Sequence, residues 1–597
     1  IPAIGASMTG GSTTWDPIAS WADITQVSHV RFRKIHSVRQ TATRIHNIRR
    51  IMATPTTPPI HNVVLEGKKR WVALIFLALA VAMIILDATV VNVAIPTMVT
   101  DLGLTTNDAE WINAAYSLTF ASLLIFFGRL GDRFGRKLLL IVGVITFVLA
   151  SALVAASDSS VTLITARALQ GVGGAMILPA SLSVINAVFV GKSRAVAFAV
   201  WGGTIGGMAA LGPLVGGYLT TYASWHWAFL INVPIGIFVI IGVIAVVPET
   251  RDLYARKGFD VPGTLLITLG LVGIVFAVIE GQRYGWLSPT VDFAVGGWTW
   301  PLDFVSVVLV AGVLGVIALV LMVIVEKRRI AADKVVILDL RLFRIKSFGA
   351  GNGVALVVSL GEFGLLFAIP LFLQATRGYD ALQTGFILLA LALGSFAASG
   401  AGAPLSQRLG PVRVLQIGMV LEVIGIVGLG IIISETITGW GMAPWLFIYG
   451  MGVGFATAQL TGVILSEVPV AESGQASAVQ STSRQVGAAI GTALIGTTLL
   501  IGLGSTAGHL EDRGIPAAQA EQVSDAVANS AGQAIPSLAA QPNGEELVAG
   551  ASEGFVTAIK SVSIIAGIFV FLGLLLSFLL PRNAARIESE GYKPPRE

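Results

Sequence analysis

The chain has 597 residues, 54% of them hydrophobic and only 12% charged, with 68 glycines, no cysteine and a formal net charge of +4. A mean hydropathy of +0.81 excludes an ordinary soluble domain and describes a polytopic helical membrane protein, in which glycine lets packed helices approach closely. The lack of cysteine excludes a disulfide framework, a thiolate nucleophile and a Cys-based metal site, and basic residues distributed as membrane flanks exclude nucleic acid as a partner.

Residues 1–66 form a basic N-terminal extension in which Arg31, Arg33, Lys34, Arg39, Arg44, Arg49 and Arg50 alternate with Ser, Thr and His. No apolar core of about 7 to 15 residues follows, so this is not a secretory signal, and a disordered tail is expected. Met52 opens a more ordinary sequence that leads into the first apolar segment; residues 1–51 are therefore read as translated upstream sequence or a dispensable extension.

Crossing a bilayer takes about 20 apolar residues. Such segments fall at 71–98, 110–130, 138–157, 161–189, 195–222 and 226–247, then at 261–280 and 303–326, and finally at 347–375, 382–404, 412–434, 441–466, 475–503 and 554–581. Loops after even-numbered spans, with the tail 582–597, carry nearly all the Lys and Arg beyond the extension, whereas the opposite loops hold only Arg283, Arg377 and Arg513. That asymmetry places both termini in the cytoplasm of a multi-pass inner-membrane protein. The one long external loop, 504–553, is acidic and rich in Ala, Gly, Gln and Pro, and is expected either to hold a short helix near 517–531 or to be disordered.

Three places concentrate chemistry. Asp87 lies deep in the first span, where a central charge costs about 2.5 to 3.5 kcal/mol, so it is a neutral acid, a paired carboxylate or a group in a wet cavity; a helix-packing Asp is the plainer alternative. Arg167 in span 4, near Gln170, Gly171 and Gly174, needs water, an acid or a carbonyl, unless it snorkels from the span end. The segment Gly128-Arg129-Leu130-Gly131-Asp132-Arg133-Phe134-Gly135-Arg136-Lys137 cannot lie in hydrocarbon and must sit at a membrane surface, its glycines allowing tight helix approach and Asp132 free to accept from a helix N-terminus. Glu362, near the middle of span 9, is the best second carboxylate, for cation recognition or a second proton; Glu422 in span 11 is equally readable as a structural group, and Arg484 and Lys560 are expected to mark span ends.

An internal repeat joins the two ends. Ala94-Ile95-Pro96 recurs as Ala368-Ile369-Pro370, Leu130-x-x-Arg133-Phe134-Gly135 as Leu405-x-x-Arg408-Leu409-Gly410, and Ala209-Ala210-Leu211-Gly212 as Ala488-Ala489-Ile490-Gly491, at offsets of 274, 275 and 279. Spans 1–6 and 9–14 are thus two copies of a six-helix unit, 67–250 and 346–581, with spans 7 and 8 inserted between them in 251–345. Such repeats place a substrate site at their interface near the midplane. The repeat aligns Asp87 with Glu362, but Arg167 with Ile448, so coupling chemistry is expected mainly in the first half.

The segment 128–137 resembles the signature of the major facilitator superfamily, and Leu86-Asp87-Ala88-Thr89-Val90-Val91-Asn92-Val93-Ala94-Ile95-Pro96 is similar to the first-helix motif of its fourteen-helix drug:proton antiporters. Arg167-Ala168-Leu169-Gln170-Gly171-Val172-Gly173, Gly212-Pro213-Leu214-Val215-Gly216-Gly217 and Trp225-His226-Trp227-Ala228-Phe229-Leu230-Ile231-Asn232-Val233-Pro234 resemble three further motifs in the same order, over about residues 65–585. Met208 and Leu388-Leu389-Ala390 depart from a usual glycine and a usual proline.

The resemblance implies an all-α integral membrane protein with the major facilitator fold and fourteen transmembrane helices: two six-helix pseudo-repeats plus two inserted helices. It implies proton coupling at Asp87, Arg167 and Glu362, with a substrate cavity bearing Asn92, Tyr116, Gln170, Glu362 and Gln374. The cluster Gly128, Arg129, Gly131, Asp132, Arg133, Gly135, Arg136 and Lys137 becomes a cytoplasmic gate that holds the outward-open state. Gly212, Pro213, Gly216 and Gly217 mark the antiporter-motif helix, in which Gly202, Gly206, Ala209, Pro213 and Gly216 form a stripe of small residues, readable as a sliding surface against the opposing half or equally as ordinary tight packing.

Competing chemistries fail. Gly191-Lys192-Ser193 mimics the end of a phosphate-binding loop but lacks its leading glycine and joins two spans, and the six histidines lie mostly in the N-terminal extension, leaving no metal site. The expectation is a monomeric proton-driven exporter of hydrophobic or cationic small molecules, with no cofactor, metal or enzymatic activity. The alternatives are an exporter of an endogenous lipid, siderophore or metabolite, and a membrane sensor or scaffold that moves nothing.

Overall fold

The computed structural model describes residues 65, 67–104, 106–251, 258, 260–295, 298–469 and 472–581. The readings made of the extension, Leu65 apart, and of the tail 582–597 lie outside the described residues. Among the described residues, thirteen helices are long and apolar enough to cross a membrane, and a bent pair, Ser193–Ala209 with Leu211–Tyr222, makes a fourteenth.

In chain order, α1 (Lys69–Leu102), α2 (Thr106–Phe134), α3 (Arg136–Ala155), α4 (Ser160–Val188) and α5 (Gly191–Tyr222) precede a broken sixth span formed by α6 (Trp225–Leu230) and α7 (Asn232–Val246). Two helices follow, α8 (Val261–Tyr284) and α9 (Val307–Ala331), joined by a loop that carries the short antiparallel pair β1 (Ala294–Val295) and β2 (Trp298–Thr299). A 3-10 turn at Leu340–Arg344 leads into α10 (Lys346–Ala375), α11 (Ala381–Leu409), α12 (Pro411–Ile432), α13 (Gly439–Leu465) and α14 (Ser473–Gly504). The long loop is itself helical, with α15 (Thr506–Asp512), α16 (Ala517–Asn529) and α17 (Ile535–Leu538), and α18 (Gly544–Ser577) closes the bundle.

The packing repeats as the sequence does. In the first unit α1 packs on α5, α2 and α3 on α4, and α7 on α1 and α3; in the second α10 packs on α14, α11 and α12 on α13, and α18 on α10 and α12. The units meet along two equivalent seams, α5 against α11 and α13, and α14 against α2 and α4. The inserted α8 lies across the second seam, touching both α2 and α14, with α9 outside it. Burial follows: 89% of the most apolar window of α4 is buried but only 17% of that of α9, which turns its sides to lipid.

The stripe of small residues in α5 divides at a 41° bend. Pro213 supplies no N–H to the carbonyl of Ala209 and its ring crowds that turn, which opens the helix there. Before the bend, Gly202 lies against Ala458 and Gly206 against Ser395, across the seam. Beyond it Gly212 and Gly216 lie instead against Thr89 and Val90 of α1, within their own unit, so the stripe does not run along the opposing half throughout. Gly217 is buried beside them. In the 504–553 segment the short helix expected near 517–531 forms at Ala517–Asn529, and Leu510, Ile515, Ala520, Val523, Val527, Ile535 and Leu538 are buried, so the segment packs as a cap.

Candidate functional site

The first centre is built by three spans and the break in the sixth. Asp87 of α1 is 2% exposed, and its Oδ2 accepts from Nη1 of the fully buried Arg167 at 2.6 Å. Its Oδ1 accepts from Nε2 of Gln170 at 3.0 Å and from Nδ2 of Asn232 at 2.8 Å. Asn232 stands where α7 begins after the break, which aims its side chain inward from the sixth span. Ser151 of α3 accepts from Gln170 and Asn232 at 2.7 and 3.2 Å. Arg167 also donates through Nε to the Ile112 carbonyl at 3.2 Å, and its guanidinium carbon lies 4.4 Å from the centre of the Tyr116 ring. Every contact on the carboxyl is a donor, which suits its ionised form; adding a proton there removes an acceptor site and the reason for Arg167 to stay.

The second centre is less complete. Glu362 of α10 is 2% exposed and its Oε2 accepts from Nη2 of Arg484 at 3.3 Å. Arg484 comes from the interior of α14, so it does not mark a span end, and the second unit does have a cation facing its acid. That cation arises on a different helix from the one the repeat suggests. Tyr449, beside the aligned Ile448, donates its hydroxyl to the Glu362 carbonyl at 3.0 Å.

At the basic end, Asp132 and Arg136 are buried and paired at 2.7 Å. Asp132 also accepts from the backbone N–H of Gly474 at 2.9 Å and of Gln475 at 3.0 Å, the first turn of α14 across the seam. A carboxylate at a helix N-terminus is favoured by the free amides and the helix dipole. The approach needs glycine on both sides: a Cβ on Gly128 would lie 2.4 Å from Ala478 Cβ and 2.6 Å from the Gly474 carbonyl, and one on Gly474 would lie 2.2 Å from Asp132 Oδ1. Gly135, at φ 120°, turns the chain beside Glu249, whose carboxylate accepts from the first amides of α3, those of Lys137 and Leu138, at 3.1 and 3.2 Å. Lys137 Nζ donates to the Ile244 carbonyl at 2.8 Å, and Gly131 packs against Leu139.

The chain segments before and after the inserted helices both join this end. Arg133 donates to the Gly258 carbonyl, and the Asp339 N–H donates to Gln475 Oε1 at 2.9 Å. Asp339 is held below the ordinary aspartate range: burial opposes this, but hydrogen bonds and charge from Arg341 outweigh it. Glu472 is pushed up, first by burial and then by Asp339, with Arg341 and Arg129 opposing.

Of the remaining expected residues, Gln170 is fully buried and spent on Asp87 and Ser151, so it belongs to the acid centre and not to a cavity wall. Tyr116 is 5% exposed and covers Arg167. Gln374 is twelve residues beyond Glu362 on α10, about 18 Å along the helix, and the two are not brought together. Asn92 lies on α1, its side chain outside the described residues. Sequence reasoning assigned no role to Asn232, Ser151, Gln475 or Glu249 and misjudged Arg484. The last had a signal: a guanidinium well inside an apolar stretch poses the same cost as Asp87.

The profile of the Major Facilitator Superfamily matches residues 77–492. The chain is 32% identical over 506 residues to the multidrug efflux pump LfrA of Mycolicibacterium smegmatis, covering 84% of this chain and 94% of that one. It is 34% identical over 468 residues to the puromycin resistance protein pur8 of Streptomyces alboniger (76% and 87% covered), and 33% identical over 463 residues to a probable actinorhodin transporter of Streptomyces coelicolor (76% of each). The crystal structure of the human organic anion transporter MFSD10 (TETRAN) shares the fold, with a TM-score of 0.51 at 13% identity, covering 85% of this chain and all of that one. With two six-helix units sharing one packing pattern, a profile match running through both, and relatives named for efflux and resistance, the chain belongs to the major facilitator superfamily, among its drug-efflux transporters.

Proposed function

We propose that this transporter is a proton-coupled antiporter that exports hydrophobic, cationic small molecules from the cytoplasm of a bacterium across its inner membrane, with the basic end cytoplasmic. The observation that carries the reading is the buried Asp87–Arg167 pair, which Asn232 ties to the sixth span and Ser151, through Gln170 and Asn232, to the third. A proton arriving on Asp87 discharges the carboxylate that holds Arg167, Gln170 and Asn232. Three spans, the first, fourth and sixth, then lose a common anchor, and a local protonation becomes a change of helix packing. The Asp132 contact to α14 keeps the basic end shut while the opposite end exchanges protons and substrate, and its release lets the units rock. Glu362 supplies a buried anionic charge for a cation within the second unit. The names of LfrA and pur8 support a drug substrate, and the name of the actinorhodin transporter supports a second reading, export of a metabolite made by the same cell.

The test is efflux of ethidium from cells lacking their own pumps, with and without an uncoupler. Uncoupler-sensitive efflux supports the antiporter, and efflux that survives collapse of the proton gradient overturns it.

A further inference from the structure

Glu422, on α12, takes no part in the centres described above, and its surroundings are unusual for an ionisable group. It is fully buried, and among the described residues neither carboxyl oxygen has a hydrogen-bond partner. Its Cγ lies against Gly452 of α13, where a Cβ would come within 2.6 Å, so the side chain is pressed between α12 and α13. Met419 and Ile426, one helical turn before and after it, are buried in the same apolar cluster. A carboxylate left there without a donor would carry a large desolvation penalty, and such a group neutralises by holding a proton.

The charged and titratable groups around it are few. Glu362 from α10 and Arg484 from α14 act on it electrostatically, and it acts on Tyr449 from α13. Tyr449 is no donor to it, because its hydroxyl is given to the Glu362 carbonyl. Arg484 is spent on Glu362 and on Thr457 Oγ1, both at 3.3 Å. The charged residue of α11, Arg408, and the membrane-segment lysine of α18, Lys560, are both exposed. Two buried acids therefore share one cation, and the acid left over has no other means of compensation.

We propose that Glu422 is a proton-binding site and that Arg484 is the positioning residue that discharges it when a monovalent cation binds at Glu362. This rests on the cation-export reading above. In the state described, Glu362 is ionised and paired with Arg484, and Glu422 carries the proton. A cation settling on Glu362 takes over that carboxylate and releases Arg484. The free guanidinium then favours the anion of Glu422, whose O–H bond breaks, and the proton leaves to water at Arg484, which at 12% is the most exposed member of the group. One cation is taken up and one proton released, so the charge of the site does not change.

The experiment uses the full chain in lipid vesicles, infrared spectroscopy of the carboxylic-acid C=O stretch at neutral pH, and ethidium as the probe cation. The expected result is a protonated-carboxyl band that is lost in Glu422→Gln, shifted but kept in Glu422→Asp, and weakened in Glu362→Gln, where Arg484 has lost its carboxylate partner and favours the anion of Glu422. Ethidium should bleach it while a pH dye records one released proton per protein. That release should be absent in Glu422→Gln, which still binds ethidium by fluorescence, and in Arg484→Gln ethidium should leave the Glu422 band unbleached. A wild-type spectrum unchanged by Glu422→Gln overturns the proton site. Binding of ethidium without bleaching overturns the role of Arg484. If no variant and no wild type binds ethidium while the Glu422-dependent band is present, the cation-export reading fails and the proton site stands. Glu422→Asp, which keeps the acid at nearly the same size, separates these outcomes from a folding defect.

Discussion

Asp132 accepts the backbone N–H of Gly474 at 2.9 Å, joining residues 342 positions apart in the chain and on opposite sides of the seam between the two units. The contact uses only what an N-terminal turn offers any anion, yet it forms only where the helices are almost in backbone contact. Replacing Asp132 by Asn keeps the shape and removes the charge. A hydrogen bond to a charged group contributes about 1.5 to 3 kcal/mol, so Asp132→Asn should speed exchange of the Gly474 and Gln475 amides by one to two decades, about 1.4 kcal/mol for each, and lower ethidium efflux. Unchanged protection of those amides would show that the closed end is held by something else.

Steric room is as necessary as charge. A methyl on Gly128 would meet Ala478 and the Gly474 carbonyl at distances no flexible side chain can relieve. Gly128→Ala should therefore part α2 from α14 and expose the basic end to a membrane-impermeant thiol reagent, read at a cysteine placed at Ser477. Ala478→Gly in the same chain should restore only part of the protection, since the carbonyl clash remains. Wild-type labelling by Gly128→Ala would count against close helix approach at this point.

The acid centre should not tolerate substitution by similar residues. Asp87→Asn is expected to insert normally and to lose uncoupler-sensitive efflux altogether, because an amide cannot exchange a proton. Arg167→Lys should fail too. A lysine cannot donate to Asp87, Gln170 and the Ile112 carbonyl in the geometry of a guanidinium, and breaking a buried ion pair costs about 3 to 5 kcal/mol. Thermal unfolding in detergent checks the second expectation, and full active efflux by either variant at matched expression would remove the pair from coupling.

How much of this was legible in the sequence follows from which costs are local. Asp87 and Arg167 declare themselves because a charge deep in an apolar run must find a partner wherever the helices later pack. The two units were legible because three motifs recur in order, and the packing repeats with them. Arg484 was missed because repeat alignment carries a role to the same helix position, whereas the second unit draws its cation from α14 and leaves Ile448 at the aligned place. Asn232 was hidden within a motif, its inward direction set by the one-residue break before α7, which composition does not reveal. The cap over 504–553 was ambiguous because Ala- and Gln-rich amphipathic turns carry little hydrophobic contrast until α14 and α18 supply the surface they cover.

Acidity should tighten the basic end. Burial and the neighbouring Asp339 hold Glu472 above the ordinary glutamate value of 4.5, with Arg341 and Arg129 opposing, so a proton there favours the assembled state over one in which the group is free. A raised value gives a contribution that is complete below 4.5 and lost as pH rises through the raised value. Asp339 works the other way: held below 3.8 by Arg341, it contributes above that value and loses its share only in stronger acid. Between neutral pH and 4.5 the Glu472 effect therefore dominates. After correction for intrinsic exchange, protection of the Gly474 amide should rise as pH falls across that range, and Glu472→Gln should flatten the trend. A rise of equal size in Glu472→Gln would assign it to another group.

The number of protons per substrate decides whether voltage drives export. Exchange of one monovalent cation for one proton moves no net charge, whereas exchange for two moves one charge, worth about 2.3 kcal/mol per 100 mV. With Asp87 and Glu422 both carrying protons, the second case applies. In vesicles with no pH difference, a 100 mV potential should then change the limiting ethidium gradient by about fifty-fold, at about 1.4 kcal/mol per tenfold. Glu422→Gln should lose that response and keep efflux driven by a pH difference through Asp87. Glu362→Gln removes the carboxylate that receives the cation and should reject ethidium while still exporting neutral substrates. An ethidium gradient indifferent to voltage in the wild type would mean a single proton per cycle and leave Asp87 as the sole carrier. Equal export of cationic and neutral substrates by Glu362→Gln would return that glutamate to a structural role.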